Sequence, residues 1–271
     1  MKPIAFVFDY DLTLTQGYGI NALFAKRGID PNEFWTRMME TERHYGFNEA
    51  FLNHLIFEAE EGGLLEGMTN AEMEAAGADV VFYDGVEDFI PRLKEMGEEY
   101  NLDVRVYAVS SGIEEVITGS AVGQYLDGVF GAKLRPDVKD GVIKRIAHTV
   151  CPHQKAKMLR AISAGASGHG QINVYKDTLP RMDERPIPKS RMHFIGDGQT
   201  DAEAMAELNK YGAHNFAVHG CDKSRKSAYE LHWLGHAQEL HFADYTAGSD
   251  LMNAFEKRVE HFANPRQLSF F

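Results

Sequence analysis

The chain has 271 residues, a hydrophobic content of 44% and a formal net charge of -12 at pH 7. This length exceeds that of a typical single domain and the apolar content supports a sizeable core, so a disordered chain is excluded and a core with a second, smaller unit is expected. The acidic balance argues against nucleic acid or an anionic membrane as the main partner.

No apolar run is long enough to span a membrane. The chain enters a strand pattern at Ile4, which leaves no room for a signal peptide. The two cysteines, Cys151 and Cys221, lack the spacing of a metal site and indicate no disulfide framework. We therefore expect a cytoplasmic protein without a membrane partner, and nothing in the sequence indicates its oligomeric state.

The first predicted element is a buried strand over Ile4–Phe8, made of β-branched and aromatic residues. It runs directly into Asp9-Tyr10-Asp11-Leu12-Thr13. In open α/β sheets, ligands bind at the carboxyl ends of the strands, so Asp9 and Asp11 are candidate functional residues. The alternative is that both acids only turn the chain and cap the next helix.

The strand pattern is interrupted over residues 15–82, which are predicted to be helical. One begins near Gly19, a second has Pro31 at its first position after Asp30, a third covers Asn48 to Glu61, and Thr69 opens a fourth with the pattern of a capping box. We expect a core domain of residues 1–14 and 83–271 with an inserted helical domain of residues 15–82. A helix from Glu87 to Tyr100 leads back into the core.

The second strand, Val104–Val109, ends in Ser110-Ser111-Gly112 before a predicted helix at Ile113. A hydroxyl and free amides at a helix start form an anion site, although an ordinary serine N-cap is the alternative. Farther on, Lys155 begins a predicted amphipathic helix and could neutralise acidic or phosphate groups. Lys157 is instead predicted to lie on the solvent-exposed face of this helix.

The middle of the chain predicts a strand over Gly128–Leu134 that pairs in a hairpin with Val142–Ile146. Residues 165–191 read as a long loop with a short strand at Ile172 to Tyr175 and without a nucleotide-binding P-loop. His232 and His236 are four residues apart, but no metallohydrolase motif accompanies them, so we interpret them as surface or packed side chains.

A later strand, Met192–Ile195, ends in Gly196-Asp197-Gly198-Gln199-Thr200-Asp201. If this strand lies beside the first in a parallel sheet, Asp9, Asp11, Asp197 and Asp201 converge on one crevice. Uncompensated carboxylates at such distances repel strongly, and a site of oxygen ligands favours a hard cation, Mg²⁺ first. Because Mg²⁺ is commonly bound by one or two carboxylates together with a substrate phosphate, a phosphorylated substrate follows.

These four motifs, in this order, resemble those of the haloacid dehalogenase superfamily, specifically its phosphatase branch. The resemblance implies an α/β fold with a Rossmann-like doubly wound parallel sheet core and an inserted helical cap domain that closes over the site. It further implies an enzyme, a Mg²⁺-dependent phosphomonoester hydrolase acting on a small phosphorylated metabolite.

The same resemblance implies a role for each matching residue. Asp9 is then the nucleophile that forms an aspartyl-phosphate, and Asp11 the general acid and base. The metal ligands are Asp9, the backbone carbonyl of Asp11, and Asp197, with Asp201 orienting a metal-bound water or Lys155. The transferring phosphate is held by Ser110, Ser111 and Lys155, and Thr13 fixes the turn behind the nucleophile.

Phosphoserine phosphatases are the nearest relatives by the Ser110-Ser111-Gly112 turn and by the position of the insert. Those enzymes grip the amino acid with a glutamate shortly after the first motif and an arginine of the cap. Here the first stretch reads Gln16-Gly17-Tyr18-Gly19, and the helix near Phe51 offers no arginine. The sequence thus argues against phosphoserine as the substrate, with Tyr18, Arg43, His44 and His54 as candidate substrate contacts.

Two other functions remain open from the sequence. A phosphotransferase or phosphomutase would use the same aspartyl-phosphate and pass the phosphoryl group to an organic acceptor. A binding or regulatory protein would keep the fold without the chemistry, although the complete acidic motifs argue against it.

Overall fold

The computed structural model describes residues 3–171, 184–220 and 222–263 of the chain. Its strands are β1 (Ile4–Phe8), β2 (Val104–Ile113), β3 (Gly128–Pro136), β4 (Ile143–His148), β5 (Met192–Gly196), β6 (Phe216–His219) and β7 (Glu239–Phe242). Its helices are α1 (Asn21–Lys26), α2 (Pro31–Thr41), α3 (Phe47–Glu58), α4 (Asn70–Gly77), α5 (Val86–Glu99), α6 (Glu114–Thr118), α7 (Pro152–Ser163), α8 (Ala202–Asn209), α9 (Asp222–Trp233) and α10 (Asp250–Ala263).

All described strands form one seven-stranded sheet in the order β4-β3-β2-β1-β5-β6-β7. The pairs are parallel except for β3 with β4, which forms the predicted hairpin. β1 lies in the middle, between β2 and β5, so the acidic motifs that follow β1 and β5 leave the sheet at the same edge. The predicted doubly wound α/β fold is confirmed.

The central strand is apolar on both faces because helices cover both sides of the sheet. Phe6 and Phe8 point to one core, where both contact Phe255 of α10. Ala5 and Val7 point to a second core that includes buried residues of α7, α8 and α9. Every residue of β1 is fully buried, which holds the end of the strand rigidly in place.

The predicted elements recur with shifted ends. β2 runs past the predicted end at Val109 to Ile113, with a register shift against β3 in this stretch. Ser110, Ser111 and Gly112 therefore lie at the end of the strand, directly before α6, which begins at Glu114 rather than at Ile113. α7 begins at Pro152 rather than at Lys155, because proline fits the first position of a helix. The strand predicted for Ile172 to Tyr175 lies outside the described residues.

The helices α1 to α4 all lie between β1 and α5 in the chain, and the two ends of this insert meet. Thr15 forms an antiparallel bridge with Phe82, and the Gln16 amide donates to the Val81 carbonyl at 3.0 Å. As predicted, the Asp30 side chain caps α2 and Thr69 caps α4. The division into a core and an inserted domain of residues 15–82 stays a prediction.

The insert packs against the core through α4 and α6, where two glycines allow the backbones to approach. A Cβ at Gly77 would meet the Val116 carbonyl, and a Cβ at Gly119 would meet the Glu74 carbonyl. The Asn70 side chain adds a hydrogen bond to the Leu134 carbonyl at 3.1 Å. The insert is therefore seated closely on the core at this side.

Candidate active site

The ends of β1 and β5 bring three buried carboxylates together. Oxygen atoms of Asp9, Asp197 and Asp201 lie within 4.8 Å of one another, although the first is far from the others in sequence. This is the only group of this kind among the residues that the structure describes. The predicted convergence of the two acidic motifs on one crevice is present in the structure.

Lys155 supplies the positive charge of this crevice. Its side chain is fully buried, and its Nζ lies 2.7 Å from Asp201 Oδ1 and 2.9 Å from Asp9 Oδ2. Burial disfavours the ammonium, but the attraction of Asp201 and Asp9 outweighs burial and raises the pKa of Lys155. The lysine is thus charged, and its position on the first turn of α7 fits its predicted role.

One ammonium does not balance the surrounding acids. Burial, together with the nearby Asp201 and Asp9, raises the pKa of Asp197. Burial likewise raises the pKa of Asp201 to about 7, against the opposing effect of Lys155. Raised carboxyl pKa values of this origin indicate a site that lacks positive charge, because each carboxylate disfavours ionisation of the next.

Asp201 is fixed by the loop that carries it. Its Oδ2 accepts a hydrogen bond from the Gly198 amide at 3.3 Å. Gly196 leaves the space for this carboxylate, since a Cβ there would collide with Oδ2. Asp201 thus holds Lys155 through a hydrogen bond, and its role behind the reacting groups stays a prediction.

Asp11 lies beside this cluster and faces the cavity. Its Oδ1 accepts a hydrogen bond from the Gly19 amide at 2.7 Å. Burial, with a smaller contribution from Asp9, raises the pKa of Asp11 to about 7 against the opposing effects of the Gly19 hydrogen bond and of Lys155. A carboxyl group with this pKa is able both to donate and to accept a proton near neutral pH.

The turn after Asp11 is strained and held by Thr15. Leu12 has a φ of 62°, in the left-handed region that is costly for a leucine. The Leu12 amide donates to Thr15 Oγ1 at 3.3 Å, and that hydroxyl donates to the Gly17 carbonyl at 2.6 Å. Thr13 Oγ1, which we expected to fix this turn, has no hydrogen-bond partner among the described residues, so the side chain of Thr15 takes that part.

The serines at the end of β2 complete the core side of the crevice. Ser110 is buried, and its Oγ accepts from the Gly112 amide at 3.0 Å. Ser111 Oγ donates to the Val150 carbonyl at 2.6 Å. A Cβ at Gly112 would approach Asp11 Oδ2 to 2.8 Å, so this glycine lets the loop lie against the acid. These serines lie at the irregular end of β2 directly before α6, and their part in an anion site stays a prediction.

A cavity of about 630 Å³ opens above these residues and is walled on the opposite side by the insert. The insert contributes an aromatic and polar wall, formed by Tyr18, Trp35, Phe47, Asn48 and Glu49. Asn48 Nδ2 lies 3.4 Å from Ser111 Oγ and 3.5 Å from the Val150 carbonyl. The contact with Ser111 joins the insert to the end of β2. Volume and composition suit a small organic ligand.

The predicted contacts from the insert are only partly found at this cavity. Tyr18 lines it, whereas Arg43, His44 and His54 do not. His54 is buried inside the insert, where it lies 3.2 Å from Glu58 and stacks on Phe57. The aromatic residues that do line the cavity were not identified from the sequence, because an aromatic residue on an amphipathic helix is ordinarily part of a core.

Comparisons with known proteins show what the chain is similar to. No family model matches it. It is 27% identical to a protein of Borreliella burgdorferi that is named only as uncharacterized, over 94% of this chain and 96% of that protein.

Several solved structures share the fold. A substrate-bound phosphoserine phosphatase aligns with a TM-score of 0.59 and 17% identity, over 95% of this chain and 99% of that one. A HAD family hydrolase of Salmonella enterica serovar Typhi aligns with a TM-score of 0.56 and 17% identity, over 83% of this chain and 66% of that one. Cytosolic 5'-nucleotidase IIIB bound to cytidine aligns with a TM-score of 0.51 and 14% identity, over 96% of this chain and 87% of that one.

The chain has the fold of the haloacid dehalogenase phosphatases, phosphoserine phosphatase among them, and the predicted resemblance is confirmed at this level. Across its described residues, no helix is both long and apolar enough to cross a membrane.

Proposed function

We propose that this chain hydrolyses phosphate monoesters of small metabolites with Asp9 as the nucleophile. The observation that carries the proposal is the convergence of Asp9, Asp197 and Asp201 in one buried cluster, in which Lys155 contacts Asp9 and Asp201. A structural ion pair would need one acid for one lysine. Three clustered acids with one ammonium, two of them lining a cavity, instead support a site that takes up a divalent cation and a phosphate.

The residues present fit Mg²⁺, because all the donors are hard oxygens and the cluster lacks positive charge. Asp9, Asp197 and the backbone carbonyl of Asp11 would hold the ion, with Asp201 acting through Lys155. Bound Mg²⁺ would offset the charge of the carboxylates and of the substrate phosphate.

The reaction follows from the positions of the two acids of the first motif. An oxygen of Asp9 attacks phosphorus, and the bond from phosphorus to the alcohol oxygen breaks while Asp11 gives that oxygen its proton. Asp11 then takes a proton from a water molecule, whose oxygen attacks phosphorus and releases Asp9. The raised pKa of Asp11 supports this exchange, since it starts protonated in part of the molecules near neutral pH.

The remaining polar groups stabilise the phosphoryl oxygens. We assign this part to the Ser110 hydroxyl, the Ser111 amide and Lys155. Phosphoryl transfer depends mainly on such positioning and on positive charge around the equatorial oxygens. Residues 15–82 would form a cap over the cavity, where their wall excludes water from the reacting groups and contacts the alcohol part of the substrate.

The test is release of inorganic phosphate from a panel of phosphate monoesters, with 4-nitrophenyl phosphate as a general substrate, in the presence of Mg²⁺ or a chelator. Turnover should require the metal, and Asp9→Asn should lower kcat by at least about 10⁴-fold while the circular dichroism spectrum is retained. Metal-dependent turnover in Asp9→Asn would refute the nucleophile. Loss of substrate without free phosphate would instead indicate transfer to an organic acceptor.

A further inference from the structure

The wall that the insert places over the candidate active site has a defined chemistry. We propose that this cavity selects the phosphate monoester of an amino alcohol that carries an ammonium group and no carboxylate. The proposal rests on the proposed function and specifies its substrate class.

The first observation is a preformed aromatic cluster. Trp35 lies 5.0 Å from Tyr18 and 6.0 Å from Phe47, measured between ring centroids. All three rings line the cavity, and Phe47 keeps 51% of its surface exposed. Trp35 stacks on both Phe47 and Phe51, and Phe47 is the most exposed of these rings. A cation within about 6 Å of a ring centroid is attracted to the face of the ring, as in the recognition of quaternary ammonium groups.

The second observation is a carboxylate without a cation. Glu49 lines the cavity two residues after Phe47 and has no ion-pair or hydrogen-bond partner among the residues that the structure describes. Its Oε2 folds back over Gly46, where a Cβ would come within 2.6 Å. An unpaired carboxylate beside aromatic rings favours a cationic ligand over a neutral one of the same shape.

The third observation is what the cavity lacks. None of the described residues that line it is a lysine or an arginine. His153 also lines the cavity, but its Nδ1 already lies 2.6 Å from Glu203. A substrate carboxylate would therefore lose its water close to Glu49 and the acids of the core without a lysine or an arginine to pair with it. Substrates with a carboxylate on the alcohol part are therefore disfavoured.

The position of Asn48 sets the size of the alcohol. Asn48 reaches Ser111 in the loop that would hold the phosphate, and its two neighbours in sequence are Phe47 and Glu49. Adjacent residues lie only about 3.8 Å apart between Cα atoms. The residues that would meet the ammonium are thus sequence neighbours of the residue that contacts Ser111, which favours a short alcohol.

Two matched substrate pairs isolate the two charges. Phosphocholine and 3,3-dimethylbutyl phosphate have the same shape and differ in the positive charge. Phosphoethanolamine and phosphoserine differ in the carboxylate. With Mg²⁺ present, we expect the charged member of the first pair and the carboxylate-free member of the second to be preferred by about tenfold in kcat/KM. A ratio near one in the first pair, or preference for phosphoserine in the second, would overturn the proposal.

Two variants test the residues. Phe47→Leu keeps an apolar side chain but removes the aromatic face, and Glu49→Gln removes the charge. Each should lower the preference for phosphocholine over 3,3-dimethylbutyl phosphate at least about threefold. Phe57→Leu and Glu60→Gln are the matched controls, since both residues are exposed on the insert and do not line the cavity. Equal ratios in the test and control variants would contradict the assignment.

Turnover of 4-nitrophenyl phosphate separates this proposal from the proposed function. If that ester is hydrolysed and the charge preference is absent, the substrate class is wrong and the phosphatase function stands. If no ester is hydrolysed, the phosphatase function fails. Calorimetry of phosphocholine and 3,3-dimethylbutyl phosphate binding to Asp9→Asn with Mg²⁺ then decides the cavity preference, and equal affinities would refute it.

Discussion

The two walls of the cavity differ in burial and in chemical composition. On the core side, Asp9 lines the cavity at the end of a central strand, and Lys155 and Asp201 lie buried behind it, with Lys155 in contact with both acids. On the insert side, Phe47 and Glu49 are exposed on the first turn of a helix, and Asn48 contacts Ser111. The core wall is rigid and charged, whereas the insert wall is aromatic and more accessible.

This difference separates chemistry from selectivity. A nucleophile and its charge partners must be held within fractions of an ångström, which buried strand ends achieve. A leaving group can be recognised by side chains that close over it, and such side chains can change without damage to the reaction. Three substitutions test this comparison.

The largest effect is expected from Lys155→Met on the core wall. Removal of the Lys155 ammonium, which contacts both Asp9 and Asp201, leaves two buried carboxylates without this partner and should lower the free energy of unfolding by about 3–5 kcal/mol. Turnover should fall at least about 100-fold. Added Mg²⁺ should restore part of the stability but not the activity.

Urea unfolding with and without Mg²⁺ measures this effect, and Lys157→Met is its control, since Lys157 is exposed on the same helix. If the free energy of unfolding of Lys155→Met without metal equals that of the wild type, the contacts of Lys155 with Asp9 and Asp201 do not stabilise the folded core.

A smaller effect is expected from Gly119→Ala, which disturbs the seat of the insert. The added methyl group would meet the Glu74 carbonyl and push α4 away from α6, at a cost of about 1–3 kcal/mol in the free energy of unfolding. We expect KM to rise more than kcat falls, because the displaced wall is the one that contacts the leaving group. Gly168→Ala, where the nearest atom is 3.8 Å from the added Cβ, is the control. Equal changes in both variants would argue against a role for this contact.

The smallest effect concerns the acid response of the core. His193 is buried against Phe6, its Nδ1 donates to the His214 carbonyl at 2.7 Å, and burial lowers its pKa to about 3. In the unfolded chain this imidazole binds a proton near pH 6.5, whereas in the folded chain it does so only near pH 3. The stability that neutral His193 contributes is therefore complete above pH 6.5 and is lost as the pH falls from there toward 3.

His193→Gln should therefore reduce the slope of the free energy of unfolding between pH 6 and 5 by about 1 kcal/mol per pH unit. Denaturant unfolding at several pH values gives the slope, and His44→Gln, an exposed histidine of the insert, should leave it unchanged. A slope that is the same in wild type and His193→Gln would mean that other groups carry the acid response.

Much of the fold was predictable from local patterns. The apolar run of β1, the proline at the start of α2 and the hairpin of β3 with β4 are each specified by neighbouring residues, and each is found. The contacts of the turn after β1 were not predictable in the same way, because Thr13 and Thr15 are chemically alike. The positive φ of Leu12 decides which of the two hydroxyls faces the backbone of the turn.

The candidate contacts on the insert show the limit of the same reasoning. His54 and Phe47 lie on one helix, yet His54 is buried in the insert with Glu58 and Phe47 is exposed at the cavity. Periodicity shows that a helix has two faces, but which face meets the core of the insert depends on how α2 and α3 pack together.

By itself, the sequence determined where acids follow buried strands, because strand formation and the composition of a strand end are both local properties. Only the tertiary structure decided that Lys155 contacts Asp9 and Asp201 together, and that aromatic rings and Glu49 of the insert line the same cavity as Asp9. The physical reason is that these contacts join distant parts of the chain, and their geometry is set by the packing of whole helices against the sheet.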